Sequence, residues 1–417
     1  MTTAPPAAVR DVPLPPLAPA ARRLFKHPRL MHYNRLAALV VAVNLAWAAA
    51  RWPLPASSPG HAALANLALA VLVRQQYVIN LMFRLATRPP TSWPLKVRWT
   101  LGKVYHFGGL HVGGALAGTA WFLAAALTEP DGPGRAVGLA LVGLLALVVA
   151  TAVPAFRSRH HDLFEKVHRF GGWTALLLFW AHTLLSGARP VPVAVLAVVT
   201  FSVALPWLRL RRVAVRIERP SPHVALARFD HGVTPFAGSS TAISRSPLRE
   251  WHSFANVPSP GEPGFRLTIS RAGDWTGSFI DDRPARVWVK GITTAGVANI
   301  ETLFEKVVYV ATGSGIGPCL PHLLAAQVPS RLVWATRDPR ATYGDALVDE
   351  ILAVQPHALV WDTSRHGKPD MVRLAYAAYR DFGAEAVICI SNKKLTWQVV
   401  HGLERRGIPA YGAIWDS

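Results

Sequence analysis

The stretch VVYVATGSGIGPCLPHLLAAQ, residues 307–327, decides how the chain's polar half must fold. An apolar run rich in valine enters a glycine turn, and the turn opens into a helix-period pattern. Glycines let the backbone approach a pyrophosphate, and a helix N-terminus favours its charge. Gly313, Ser314, Gly315, Gly317 and Pro318 are therefore the candidate dinucleotide turn. The spacing is GxGxGP, which departs from the Rossmann GxGxxG, and no matching ribose carboxylate follows. Downstream, RLVWATRD, HALVWDTS and AEAVICISN repeat the strand pattern with helical stretches between. Residues 301–417 thus read as a parallel α/β nucleotide-binding domain. Thr336 and Arg337 end the second strand, and the forked guanidinium suits a phosphate. A solvated loop arginine is the alternative.

Working upstream, residues 211–300 alternate short apolar runs with Pro, Gly and Ser, as in RVAVRIERP and ARVWVKG. This predicts a small antiparallel β-barrel. Before it, residues 30–210 hold six candidate transmembrane helices, about 36–50, 62–83, 101–127, 136–156, 163–185 and 191–208. Each is near the length a bilayer requires. Basic residues crowd alternate flanks: Arg22, Arg23, Lys26 and Arg29, then Arg84, Arg88, Lys96 and Arg98, then Arg157 and Arg159, then Arg209, Arg211 and Arg212. The alternation places both termini in the cytoplasm of a plasma or inner membrane protein. Residues 1–29 are Ala/Pro-rich and read as a disordered cytoplasmic tail.

Composition agrees. The 417 residues are 51% hydrophobic and 16% charged, with mean hydropathy +0.25. That is too apolar for an ordinary soluble protein. The net charge of +20 sits largely on the loops between spans, so it does not call for nucleic acid. Two cysteines, Cys319 and Cys389, signal neither a disulfide framework nor a cysteine metal site.

Two histidine pairs stand out. His168 and His182 are fourteen positions apart in the fifth span, on one helix face and ~21 Å apart along the axis. His106 and His111 lie in the third span, about 140° apart in azimuth. Interface histidines are the bland reading; axial haem ligands are the functional one. In the second span Arg74, Gln75, Gln76 and Asn80 interrupt the apolar run, and an arginine at that depth is costly.

The segment EWHSFANVPSPGEPGFRLTISRAGDWTGSF, residues 250–279, resembles the flavin lobe of ferric reductases and NADPH oxidases. With the glycine turn, it makes the C-terminal half resemble the ferredoxin reductase superfamily. The whole arrangement looks closest to TmpA-like integral membrane proteins. The resemblance implies FAD held by His252 and Phe254, although Ser253 and Ala255 replace the family's proline and hydroxyl residue. It implies that the phosphate suited to Arg337 is the 2′-phosphate of the adenosine ribose, which favours NADPH. It implies that Cys389 sits near the nicotinamide and that Trp415 stacks over the flavin. It implies a b-type haem on the inner side, held by His168 with His106 or His111, while His182 lacks an outer partner.

The expected function is a membrane-bound NAD(P)H-dependent flavoprotein oxidoreductase. Electrons would pass from cytoplasmic NAD(P)H through FAD, with one inner haem, to an unnamed acceptor. A non-enzymatic membrane sensor or scaffold with a degenerate flavin site is the rival. A transporter built on Arg74 is a more distant one.

Overall fold

In the computed structural model, which describes residues 12–258, 261 and 263–413, the apolar run 307–312 is a central strand. The chain divides into two compact units. One comprises residues up to Leu30, Ile79–Tyr105 and everything from Arg209 onward. The other comprises Met31–Val78 and His106–Leu208.

The first unit holds two sheets. The antiparallel one contains β1 (Leu210–Ala214), β2 (Arg216–Ser221), β3 (Val224–Phe229), β4 (Ser240–Ser244), β5 (His252–Pro258), β6 (Phe265–Ser270) and β7 (Arg286–Lys290). Their order is β1-β7-β4-β5-β6-β3-β2, so β1 and β2 are edges, and no β1–β2 ladder closes a barrel among the described residues. The sheet nonetheless wraps one core. Val213 and Val215 near one edge share it with Ala227, Phe229, Leu267 and Phe279.

The second sheet is parallel throughout, ordered β10-β9-β8-β11-β12. Its strands are β8 (Val307–Thr312), β9 (Ser330–Thr336), β10 (Leu359–Asp362), β11 (Ala386–Ile390) and β12 (Ala410–Tyr411). Helices cover such a sheet on both faces, so its middle strands read as unbroken apolar runs. Val307 to Ala311 are all buried. Chain order reverses between β8 and β11, the topological switch point of this architecture.

Residues 12–29, part of the stretch that composition reads as a disordered tail, group with this unit. Val12 is buried, Leu14 packs on the parallel-sheet core, and Arg406 Nε donates to Pro15 O at 3.1 Å. The segment 79–105 joins the same unit through polar contacts. Asn80 exchanges hydrogen bonds with Thr293 O and Ala295 N at 2.9 Å each.

The second unit is helical. Its long helices are His32–Ala50, Ser58–Leu72, Gly109–Thr128, Pro133–Thr151, His161–Leu185 and Pro190–Leu208. Small residues let them pack closely. A Cβ on Gly113 would stand 2.7 Å from Ala37 O, and one on Gly114 2.7 Å from Asn66 O. Asn44 and Asn66 exchange amide hydrogen bonds at 3.0 and 2.7 Å, and Trp121 Nε1 donates to Asn44 Oδ1 at 2.9 Å.

Four of these helices are long and apolar enough to cross a membrane: His32–Ala50, Gly109–Thr128, Pro133–Thr151 and Pro190–Leu208. The expected second span is broken instead. Ser58–Leu72 and Gln76–Ala86 meet at 78°, at the polar interruption around Arg74. The expected third span begins late, because residues 102–106 form a 3-10 turn and the helix starts at Gly109. The six-span bundle predicted from hydropathy is therefore four qualifying helices, one bent pair and the more polar helix His161–Leu185.

Candidate functional site

The glycine turn sits where β8 ends at the switch point. Gly313 has φ +48°, a conformation L side chains avoid. Its carbonyl accepts from Trp334 Nε1 at 3.1 Å, which ties the turn to β9. The hydroxyls of Thr312 and Ser391 share a hydrogen bond across the ends of β8 and β11. Gly315 nests against β11: a Cβ there would lie 1.9 Å from Ile390 O. Gly317 opens the helix Ile316–Ala325 and faces β6, its ideal Cβ 3.4 Å from Thr268 O. Pro318 lies in the first helical turn, where its missing N–H costs nothing. Ser314 completes the 3-10 turn Gly313–Gly315.

A crevice of about 830 Å³ opens beside this turn. Gly313, Thr336 and Arg337, all expected from sequence, line it together. Thr336 is buried and Arg337 is exposed. The loop after β9 is held in shape: Thr342 Oγ1 donates to Arg337 O at 2.7 Å, and Asp338 N donates to Asp362 Oδ1 at 2.9 Å.

Arg271, His223 and Tyr343 also line the crevice, and nothing in the local sequence marks them. Arg271 comes from the end of β6, and its guanidinium is aimed by Asp281 (2.7 and 3.0 Å) and Pro222 O (3.1 and 3.2 Å). Burial, with the nearby Arg271 charge, pushes the His223 imidazole below its ordinary value. Beneath the turn lies a second unsignalled group. His322 Nδ1 and Tyr309 OH each meet a carboxyl oxygen of Glu301 at 2.6 Å, all three side chains being buried. It braces β8 against the turn's helix.

The flavin element is built differently from the expectation. His252 and Phe254 lie on β5 and present their rings to Trp275, at centroid distances of 4.0 and 6.3 Å. Trp275 stacks on Phe279 at 5.2 Å in turn. Trp275 thus takes one face of the His252 ring, and both His252 and Phe254 stay half-buried.

Cys389 is fully buried in the parallel-sheet core, where loss of solvation pushes its thiol up to about 12. It is not among the residues that line the crevice beside the glycine turn. Trp415 lies outside the described residues.

In the helical unit, of the two partners expected for His168, His111 lies beside it and His106 does not. His106 precedes the helix and stacks on His32 with centroids 6.0 Å apart. His111 meets His168 edge to face at 6.0 Å, and its Nδ1 hydrogen-bonds Ala70 O at 2.7 Å. His182 Nε2 is 2.9 Å from Glu129 Oε2, and Ser186 Oγ donates to the other carboxyl oxygen at 2.7 Å. No group of three or more His, Cys, Asp or Glu suited to a metal gathers among the described residues.

Comparison with known proteins corrects the family expectation. Residues 297–417 match the family described as "Adenylate-forming reductase 03009, C-terminal domain". Adenylate-forming reductases 03009 and 06235 of Coprinopsis cinerea are 42% and 41% identical to this chain over 421 residues. Each match covers 95% of this chain and 41% of the relative, so the chain spans well under half of those proteins. Similar solved structures include a ferredoxin NADP+ reductase from Neisseria gonorrhoeae with bound FAD and NADP. It has TM-score 0.41 and 13% identity, over 49% of this chain and 98% of that one. Ferredoxin-NADP+ reductase from Plasmodium falciparum gives TM-score 0.37 and 12% identity, over 50% and 96%. The matches point to adenylate-forming reductases and overturn the resemblance to ferric reductases, NADPH oxidases and TmpA-like proteins. The haem implied by that resemblance loses its support with it.

Proposed function

We propose that the chain is a membrane-borne reductase module that takes NADPH into the crevice between Gly313 and Arg337. The observation carrying this reading is the convergence of a positive-φ glycine turn, a helix N-terminus and Arg337 at the carboxyl ends of parallel strands, with Arg271 joining them from the antiparallel sheet. The turn and the first N–H groups of helix Ile316–Ala325 supply donors for a pyrophosphate. Thr336 and Arg337 lie where the adenosine ribose and its 2′-phosphate would rest, and Arg271 adds positive charge to the wall. His223, whose imidazole is pushed below its ordinary value by burial and the Arg271 charge, adds a ring nitrogen to the wall. The relatives' name as reductases supports a redox role over simple nucleotide binding.

The membrane part of the proposal rests on the helical unit. Four helices have the length and apolarity of spans, and large apolar side chains such as Leu45, Leu177 and Phe201 stand exposed on the unit. The alternation of basic flanks supports cytoplasmic termini, with the nucleotide crevice drawing on cytoplasmic NADPH. The electron acceptor is unassigned.

A second reading is a nucleotide-binding sensor without turnover. The stacking of Trp275 on His252 favours it. Anaerobic mixing of the purified chain with NADPH and a soluble dye acceptor separates the two. Stoichiometric or faster NADPH oxidation supports the reductase; saturable binding without oxidation supports the sensor.

A further inference from the structure

The helix Gln76–Ala86 is not built as part of a straight span. Its 11 residues reach only ~17 Å at 1.5 Å per residue, against a hydrocarbon core of ~30 Å. It is turned 78° from the helix before it. One of its faces is taken: Asn80 is bonded to Thr293 and Ala295, and Phe83 is buried. Tyr77, Leu81 and Leu85 recur every four residues, roughly 130° round the helix from that face at 100° per residue. They are 47%, 49% and 53% exposed.

The chain beyond continues the pattern. Trp93 and Val97 are exposed too, and Arg84, Arg88 and Lys96 stand exposed among these apolar side chains. Residues 12–128 contain no Asp or Glu, so the segment 76–97 itself contributes basic charge alone. Apolar side chains interleaved with cations, with a tryptophan beside them, are complementary to an anionic lipid headgroup layer.

We propose that residues 76–97 form a membrane-surface element. Its apolar side chains sit among the headgroups of an anionic leaflet, and Arg84, Arg88 and Lys96 pair with lipid phosphates. The inference rests on the membrane reading above and adds a site to it. A protein partner for the same patch would give a different result in the test.

The test uses the full chain reconstituted in vesicles of phosphatidylcholine and phosphatidylglycerol. Leu81→Cys, Leu85→Cys and Phe201→Cys variants carry an environment-sensitive fluorophore; Cys319 and Cys389 are buried and the unlabelled parent serves as the control. Lipids bear a nitroxide either near the headgroup or near the chain end. An interfacial helix sits only ~5–10 Å into the headgroup and acyl boundary, so labels at 81 and 85 should be at least about twofold more quenched by the headgroup nitroxide. The label at 201, mid-helix in Pro190–Leu208, should show the reverse preference. Chain-end quenching at 81 and 85 would make the helix a span and overturn the proposal. No quenching at 81 and 85, with deep quenching at 201, would turn the patch toward water or protein and also overturn it. Absence of deep quenching at 201 would remove the membrane reading itself, and the surface element with it.

Discussion

Arg98 grips Glu385 with both arms of its guanidinium: Nη1 lies 2.6 Å from Oε2 and Nη2 2.8 Å from Oε1, across 287 residues of sequence. Arg98 is buried, and it also donates to Leu303 O at 2.8 Å and Trp93 O at 2.7 Å. Nearby, Lys103 Nζ reaches Glu404 at 2.6 Å and Ala410 O at 2.6 Å. Cations that hydropathy assigns to a cytoplasmic loop are thus the rivets of segment 79–105 on its own unit. Hydrogen bonds to charged groups are worth about 1.5–3 kcal/mol. Arg98→Ala should lower the unfolding midpoint of this unit, and a double-mutant cycle with Glu385→Gln should return a coupling of that order. A coupling near zero would make the pair incidental.

The same pair sets a pH dependence. The hydrogen bond from Arg98 holds the Glu385 carboxyl below its ordinary value of 4.5. A carboxyl depressed on folding binds more protons when unfolded, so its stabilisation is full above that ordinary value. It is lost as pH falls through the folded value. Wild type should therefore lose more stability between neutral and acid pH than Glu385→Gln does. Equal acid sensitivity in thermal melts would count against this.

Gly315 and Gly172 make a matched contrast. A methyl on Gly315 meets Ile390 O at 1.9 Å, whereas nothing lies within 4 Å of one on Gly172. Gly315→Ala should cost at least about 1–3 kcal/mol, since backbone must move, and should weaken nucleotide binding. Gly172→Ala, inside the helix His161–Leu185, should be neutral or gain up to about 1 kcal/mol. Melting curves and nucleotide titrations of both variants check this.

Cys389 should behave as a core side chain. With its thiol pushed up to about 12 and no exposure, it should resist alkylation at pH 8 in the native state and react on unfolding. Mass spectrometry after a timed iodoacetamide pulse reads this directly. Rapid native alkylation at Cys389 would show the strand end opening to solvent.

The parallel sheet was legible because its strands are buried on both faces and read as unbroken apolar runs ending in Gly or polar turns. Gly313, Thr336 and Arg337 were legible because strand ends are where such sheets bind ligands. Arg271 and His223 were not, because they arrive from the other sheet and no local pattern announces a long-range neighbour. Cys389 belongs to the unbroken buried run of β11, and Ser391, two residues on, is the one that bonds Thr312 at the turn. His106 was misread because the azimuth argument assumed a helix from residue 101, and the helix begins at Gly109. The polar run at Arg74 was noticed, yet its consequence was a 78° bend rather than a mid-membrane site. Residues 12–29 read as disordered because their order comes from Arg406 and the sheet core, far along the chain.

The most direct measurement is an equilibrium titration of the purified full chain with NADPH and NADH, followed by nicotinamide fluorescence, for wild type and Arg337→Ala. The account predicts saturable binding with NADPH preferred. It also predicts that Arg337→Ala weakens NADPH about tenfold to a hundredfold, the range of one charged hydrogen bond, while NADH changes little. A folded protein that binds neither nucleotide, or an Arg337→Ala variant that keeps the wild-type preference, would contradict it.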